Sequence, residues 1–153
     1  MYAAYTEDKE EVKIFFNKLF REDVFDGLCV RSCEITTLVN YNIDGKINKL
    51  WDEDTHEDNY CKLRDIKQNV LSLIKGKKMP QSMKIQFSVP TAGCEKIHPN
   101  AKALFINVVF EENKLTIISG FSEKEFSMDR AVDHYWSEWL KKFMKKVCIL
   151  QDL

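Results

Sequence analysis

Residues 102–121 read KALFINVVFEENKLTIISGF, and their pattern decides the fold. Over 102–110, one alternating set is Leu104, Ile106, Val108 and Phe110, and the other holds Phe105 and Val109. Alternation marks a strand, and apolar residues in both sets predict a central strand covered on both faces. Glu111, Glu112 and Asn113 supply a turn, and residues 115–121 resume as a second strand. Two such runs joined by a short polar turn make an antiparallel hairpin.

Downstream, residues 129–147 change to a helical period. Val132, Trp136, Trp139, Leu140, Phe143 and Val147 form one stripe, opposite His134, Glu138, Lys141 and Lys145. Such a stripe predicts a core-facing helix with Trp139 at its centre. Upstream, residues 83–89 alternate as a strand with one wet face, stopped by Pro90. Residues 91–101 form a connector with room for a short helical turn. A helix over 60–75 turns Leu63, Ile66, Val70, Leu71, Leu73 and Ile74 inward and ends at Gly76. The run 28–41 is rich in Val, Ile, Thr and Cys, which predicts a long strand. The turn Asn42-Ile43-Asp44-Gly45 would reverse it into a shorter strand over 46–51. A first helix covers 8–20, with Asp8 as cap and Val12, Phe15, Phe16, Leu19 and Phe20 inward.

The predicted fold is therefore α+β, with a mostly antiparallel sheet of about five or six strands and three principal helices packed on it. A chain of 153 residues has the size of one domain, so 1–153 is expected to be a single globular unit. Apolar residues at 44% and charged residues at 31% exclude wholesale disorder. A net charge of -1 gives no strong nucleic-acid signal at the whole-chain level. No apolar run approaches the roughly 18 residues of a membrane span, and residues 1–9 carry acids where a secretory signal would be basic and then apolar. Five cysteines without regular spacing read as reduced thiols. Together these features predict a soluble cytoplasmic protein with no membrane partner.

Several stretches resemble a family of short bacterial proteins of unknown function. They are Ile35-Thr36-Thr37, Asn42-Ile43-Asp44-Gly45-Lys46-Ile47-Asn48, Ile74-Lys75-Gly76-Lys77-Lys78-Met79-Pro80, residues 104–120, and Phe126-Ser127-Met128-Asp129. The resemblance touches most of the chain and implies a bacterial cytosolic domain. It implies no activity, cofactor or substrate, and it carries over no functional residues.

Four constellations invite a chemical reading. His56 with Cys61, and Cys94 with His98, could together supply two nitrogen and two sulfur donors for zinc, provided the fold brings the pairs together. The acidic loop Asp52, Glu53, Asp54, Glu57 and Asp58 has carboxylates for calcium but lacks the central Gly of an EF-hand, so it reads as a solvated loop in which Asp58 or Asn59 caps the next helix. The turn Lys75-Gly76-Lys77-Lys78 is basic, but its Gly ends a helix, so the dipole points the wrong way for an anion. Cys29 and Cys33 share a strand about 13 Å apart, too far for a disulfide. The sequence shows no nucleophile elbow and gives His56, His98 and His134 no evident nucleophile partner. No catalytic, cofactor-binding or metal residue is assigned on these grounds, and no cofactor is expected.

The leading expectation is a non-enzymatic binding or interaction domain whose partner is a protein or a small ligand. The alternatives are a small hydrolase or transferase sited at the acidic loop and His56, and a nucleic-acid contact protein using Lys75, Lys77, Lys78 and the lysines of the last helix.

Overall fold

A computed structural model describes residues 1–74 and 79–153. Its elements are β1 (Ala3–Thr6), α1 (Lys9–Phe20), β2 (Cys29–Thr36), β3 (Asn40–Asp44), α2 (Leu63–Leu73), β4 (Ser82–Ser88), α3 (Thr91–Ile97), β5 (Ala101–Glu111), β6 (Lys114–Glu123), α4 (Ala131–Lys145) and β7 (Gln151–Asp152). The strands form one sheet in the order β3-β2-β4-β5-β6-β1-β7, and every pairing is antiparallel.

The α+β class stands, with corrected counts. Among the described residues there are seven strands, not five or six, and four helices, not three. The added strands, β1 and β7, are four and two residues long, too short to show a period of two. The added helix, α3, is the seven-residue turn for which the connector had room; it begins after Pro90 and buries Cys94. The first hairpin is also displaced. The chain reverses at residues 37–39, and Asn42-Ile43-Asp44 lies within β3. Leu38 and Val39 are apolar yet stand in solvent at the tip, which is why the run looked continuous. Residues 46–51 form turns and one isolated bridge instead of a strand.

The two faces of the sheet differ. Cys33, Ile35, Met83, Ile85, Phe87, Leu104, Ile106, Val108, Phe110, Leu115 and Ile117 are buried. The helices gather over this set. Phe16 of α1 meets Phe110 edge-on with centroids 5.2 Å apart, and Phe25 stacks on Phe87 and meets Phe143 of α4, each at 5.6 Å. The alternate set, which includes Glu34, Lys84, Asn107, Val109 and Thr116, is half-buried or exposed. The prediction that β5 is covered on both faces is therefore corrected. Phe105 and Val109 are apolar, but they project from the face that no helix covers among the described residues. An antiparallel sheet tolerates this, because its wet face needs no second layer.

Trp136, not Trp139, sits at the centre of the α4 stripe. Trp136 is fully buried and its indole N–H donates to the Phe105 carbonyl at 3.0 Å, while Trp139 is 40% exposed and stacks on Trp136 and Phe143. Helix α2 also departs from a purely apolar inward face. Lys67 is buried, with its ammonium 2.6 Å from both the Asp26 carboxylate and the Glu22 carbonyl, which satisfies the charge.

At the start of α4, the buried Asp133 accepts hydrogen bonds from the Arg130 guanidinium at 2.7 Å, the Met1 ammonium at 3.1 Å and the Ser137 hydroxyl at 3.2 Å. Burial pushes this carboxyl up, but the donors outweigh burial and hold it below the ordinary aspartate value. A depressed folded pKa adds stability above the unfolded value, near 4, and that contribution is lost as pH falls through the folded pKa. Asp133→Asn is therefore expected to cost about 1–3 kcal/mol at neutral pH. The gap between variant and parent should close as pH drops below about 4. Urea unfolding of both proteins across that range checks it, and a gap that is constant with pH would refute the assignment.

Candidate functional site

One end of the sheet collects the loops that the sequence reading singled out. The chain leaves β3 at Gly45, which is buried against Val30. Gly45 N–H donates to the Arg31 carbonyl at 3.2 Å, and its own carbonyl accepts from Cys61 N–H at 2.8 Å. Residues 60–62 thus enter beside β2 where β3 departs, and Val30 N–H donates to the Cys61 carbonyl at 2.8 Å. A side chain at position 45 would overlap the Val30 carbonyl oxygen, so only glycine lets the three segments meet.

The acidic loop hangs from this junction. The Asp52 carboxylate accepts from Asp54 N–H at 3.0 Å and pairs with His56 Nε2 at 3.1 Å; these bonds hold it below the usual aspartate value. Asp58 does not cap α2. It accepts from the Thr91 N–H and hydroxyl at 2.8 and 2.7 Å, tying the loop to α3. At the start of α2, Asp65 accepts from Lys62 N–H at 3.0 Å instead. A cleft of 260 Å³ opens here, lined among others by His56, Glu57, Cys61, Lys62, Arg64 and Asp65.

The four metal candidates separate. His56 and Cys61 share that cleft, but Cys94 and His98 do not line it. Cys94 is buried, with its thiol 3.7 Å from the Val89 carbonyl. His98 Nδ1 accepts from Asn100 N–H at 3.0 Å, and its ring packs on Tyr135. Among the described residues no group of three or more His, Cys, Asp or Glu is placed to hold a metal ion. All five cysteines are free thiols. Burial pushes Cys61 up, and it pushes Cys33 and Cys148 up to about 12, which opposes thiolate chemistry. Lys75, Lys77 and Lys78 lie outside the described residues, whereas Lys142, Lys145 and Lys146 are exposed around the end of α4.

The uncovered sheet face is the second candidate, and its register builds it. Glu34, Lys84, Val109, Thr116 and Tyr5 lie in one row across five strands. Ser32, Gln86, Asn107 and Ile118 make the next row, in which Gln86 donates to Asn107 at 3.1 Å and Asn107 to the Ile118 carbonyl at 3.3 Å. Towards the loop end, Arg31 lies at the β2 irregularity. Its guanidinium is 4.1 Å from the Tyr60 ring centre and 5.1 Å from that of Phe105, and Nε donates to Ser88 at 3.1 Å. Two aromatic faces thus hold a cation in a fixed position. At the opposite end, a hollow of 350 Å³ opens over Glu34, Thr36, Asn40, Ser82, Lys84 and Glu111. The alternation of residues 83–89 predicts a wet face for Lys84 and Gln86, but Phe105 and Val109 read as covered, and nothing in the sequence brings Tyr60 over Arg31. Their contact spans the whole β3 excursion.

The chain belongs to DUF5721, a family of unknown function, whose pattern matches residues 18–151. No curated protein and no solved structure matches it.

Proposed function

We propose that this is a non-enzymatic interaction domain of a bacterial cytosol, and that it docks a protein partner on the uncovered face of its sheet. The observation that carries the reading is the face itself. Its centre combines Val109, Ile118 and Phe105 with a neutral amide ladder. In register Glu34 lies beside Lys84 and Glu111 beside Lys114, and Arg31 is the further cation, held over two aromatic rings. Neutral amides, scattered apolar groups and interspersed charges of both signs fit a protein surface better than a phosphate backbone, which demands clustered cations. Breadth also argues against a small ligand, which prefers an enclosed and mostly apolar cavity.

A second reading rests on the His56–Asp52 pair beside the cleft, an arrangement that orients an imidazole for acid–base chemistry. The thiol available there, Cys61, is shifted away from reactivity. One pair of variants separates the readings. Val109→Glu places a carboxylate beside Lys84 and should leave the urea midpoint unchanged while abolishing capture of the partner from a lysate of the source cells. His56→Ala should leave capture intact. The reverse pattern, with capture surviving Val109→Glu and failing in His56→Ala, would move the function to the loop.

A further inference from the structure

The two edges of the sheet are managed differently. On one side β7 is two residues long and offers little to an incoming strand. On the other, β3 runs for five residues, Asn40-Tyr41-Asn42-Ile43-Asp44, with neither Pro nor Lys. Among the described residues nothing pairs with its outer side. Such an edge is a template for another strand unless it is blunted by shortness, Pro, Lys or a bulge.

Hydrogen-bond alternation fixes which groups point outward. Thr37 N–H donates to the Val39 carbonyl and Gly45 N–H to that of Arg31. These bonds flank the ladder in which Cys33 faces Ile43 and Ile35 faces Tyr41. Tyr41 and Ile43 therefore spend their backbone groups on β2, and Asn40, Asn42 and Asp44 direct theirs away from the sheet. Lys46 N–H is taken by the Asp44 carboxylate at 2.9 Å, which closes the edge at that end.

We infer that β3 pairs antiparallel with β3 of a second copy, about a two-fold axis through Asn42. This register alone engages all three outward residues, Asn40 with the partner's Asp44, Asn42 with the partner's Asn42, and Asp44 with the partner's Asn40. It apposes no like charges, whereas sliding the axis to Asp44 would set carboxylate against carboxylate. On the opposite face Tyr41 meets the partner's Ile43, an aromatic against a β-branched residue, which is a favoured cross-strand pair. The exposed Leu38 and Val39, 96% and 52% accessible, precede the strand and fall alongside the partner's Lys46 end. The two sheets would then run on as one, with their uncovered faces side by side. An isologous contact of this size gives a reversible, concentration-dependent dimer. Asn40 and Asn42 border both the edge and the hollow on the uncovered face, but the inference rests on the outward backbone groups of β3 and not on the docking role of the face.

Sedimentation equilibrium of the full chain tests it. The parent should rise from the mass of one chain towards that of two as concentration increases. Asn42→Lys and Asn42→Glu change an exposed side chain, so the folds should survive; each alone sets like charges together at the axis and should stay at one chain over the same range. An equimolar mixture of the two variants should regain the two-chain mass. A parent that stays at one chain throughout overturns the inference. So does an Asn42→Lys variant that associates like the parent, or a mixture that fails to recover.

Discussion

Trp136→Ala is expected to cost about 3–5 kcal/mol of folding stability, the range for deleting a large buried aromatic. The side chain is fully buried, so truncation removes its packing and opens a cavity between α4 and the sheet. It also strips the Phe105 carbonyl of its indole donor. Against the roughly 5–15 kcal/mol that holds a domain together, this loss puts the variant near the threshold of folding at ordinary temperature. Trp139→Ala should cost much less, about 1 kcal/mol, because that ring is partly in water and its contribution is the stack on Trp136 and Phe143. Urea midpoints of the two variants decide the matter. Equal losses would mean that the helix is rotated from the orientation described.

Gly45→Ala is the second large effect, expected at about 3 kcal/mol or more, at the upper end of overpacking costs. The added methyl would meet the Val30 carbonyl oxygen, a backbone atom that cannot rotate aside. Relief requires breaking the bonds that join Gly45 to Arg31 and Cys61, and these hold β2, β3 and the 60–62 segment together. Thermal unfolding should show a lowered midpoint. Amide exchange should show lost protection at Gly45 and Cys61 before the β5–β6 hairpin is affected. A variant with parental stability would mean that the junction has slack.

The same glycine explains why part of the fold was hidden in the sequence. Asn42-Ile43-Asp44-Gly45 has the composition of a turn, but Gly45 is there for close approach, and the true turn carries Leu38 and Val39. A one-dimensional pattern registers composition and cannot register which backbone passes at contact distance. The β5–β6 hairpin was legible because ten residues of alternation outweigh any local ambiguity. The α4 stripe was legible as a stripe, but its period does not rank Trp136 above Trp139; the position of the helix over the sheet does. Of the candidate face only the wet side of β4, with Lys84 and Gln86, was legible, because the apolar Phe105 and Val109 make β5 look covered on both sides. Its assembly depends on register and on the 60–62 segment doubling back, neither of which leaves a local mark. Asn40 and Tyr41 read as the end of the preceding strand and Asn42-Ile43-Asp44 has the composition of a turn, so their role as one open ladder leaves no mark in the sequence.

The placement of β1 beside β7 has a mechanical consequence. Ala4 faces Asp152, Tyr5 faces Gln151, and Leu153 N–H donates to the Ala3 carbonyl at 2.9 Å. The two strands run in opposite directions, so a load applied at Met1 and Leu153 pulls across the ladder instead of along it. Its hydrogen bonds then yield one pair at a time, as in a zipper, and none shares the load with the next. Tension transmitted through the two ends would peel β7 away at low force and then reach β1 against β6. Beyond β1 the chain runs through α1 into β2, so the pull would next arrive on the β3 side of the sheet, at the far end of the strand order.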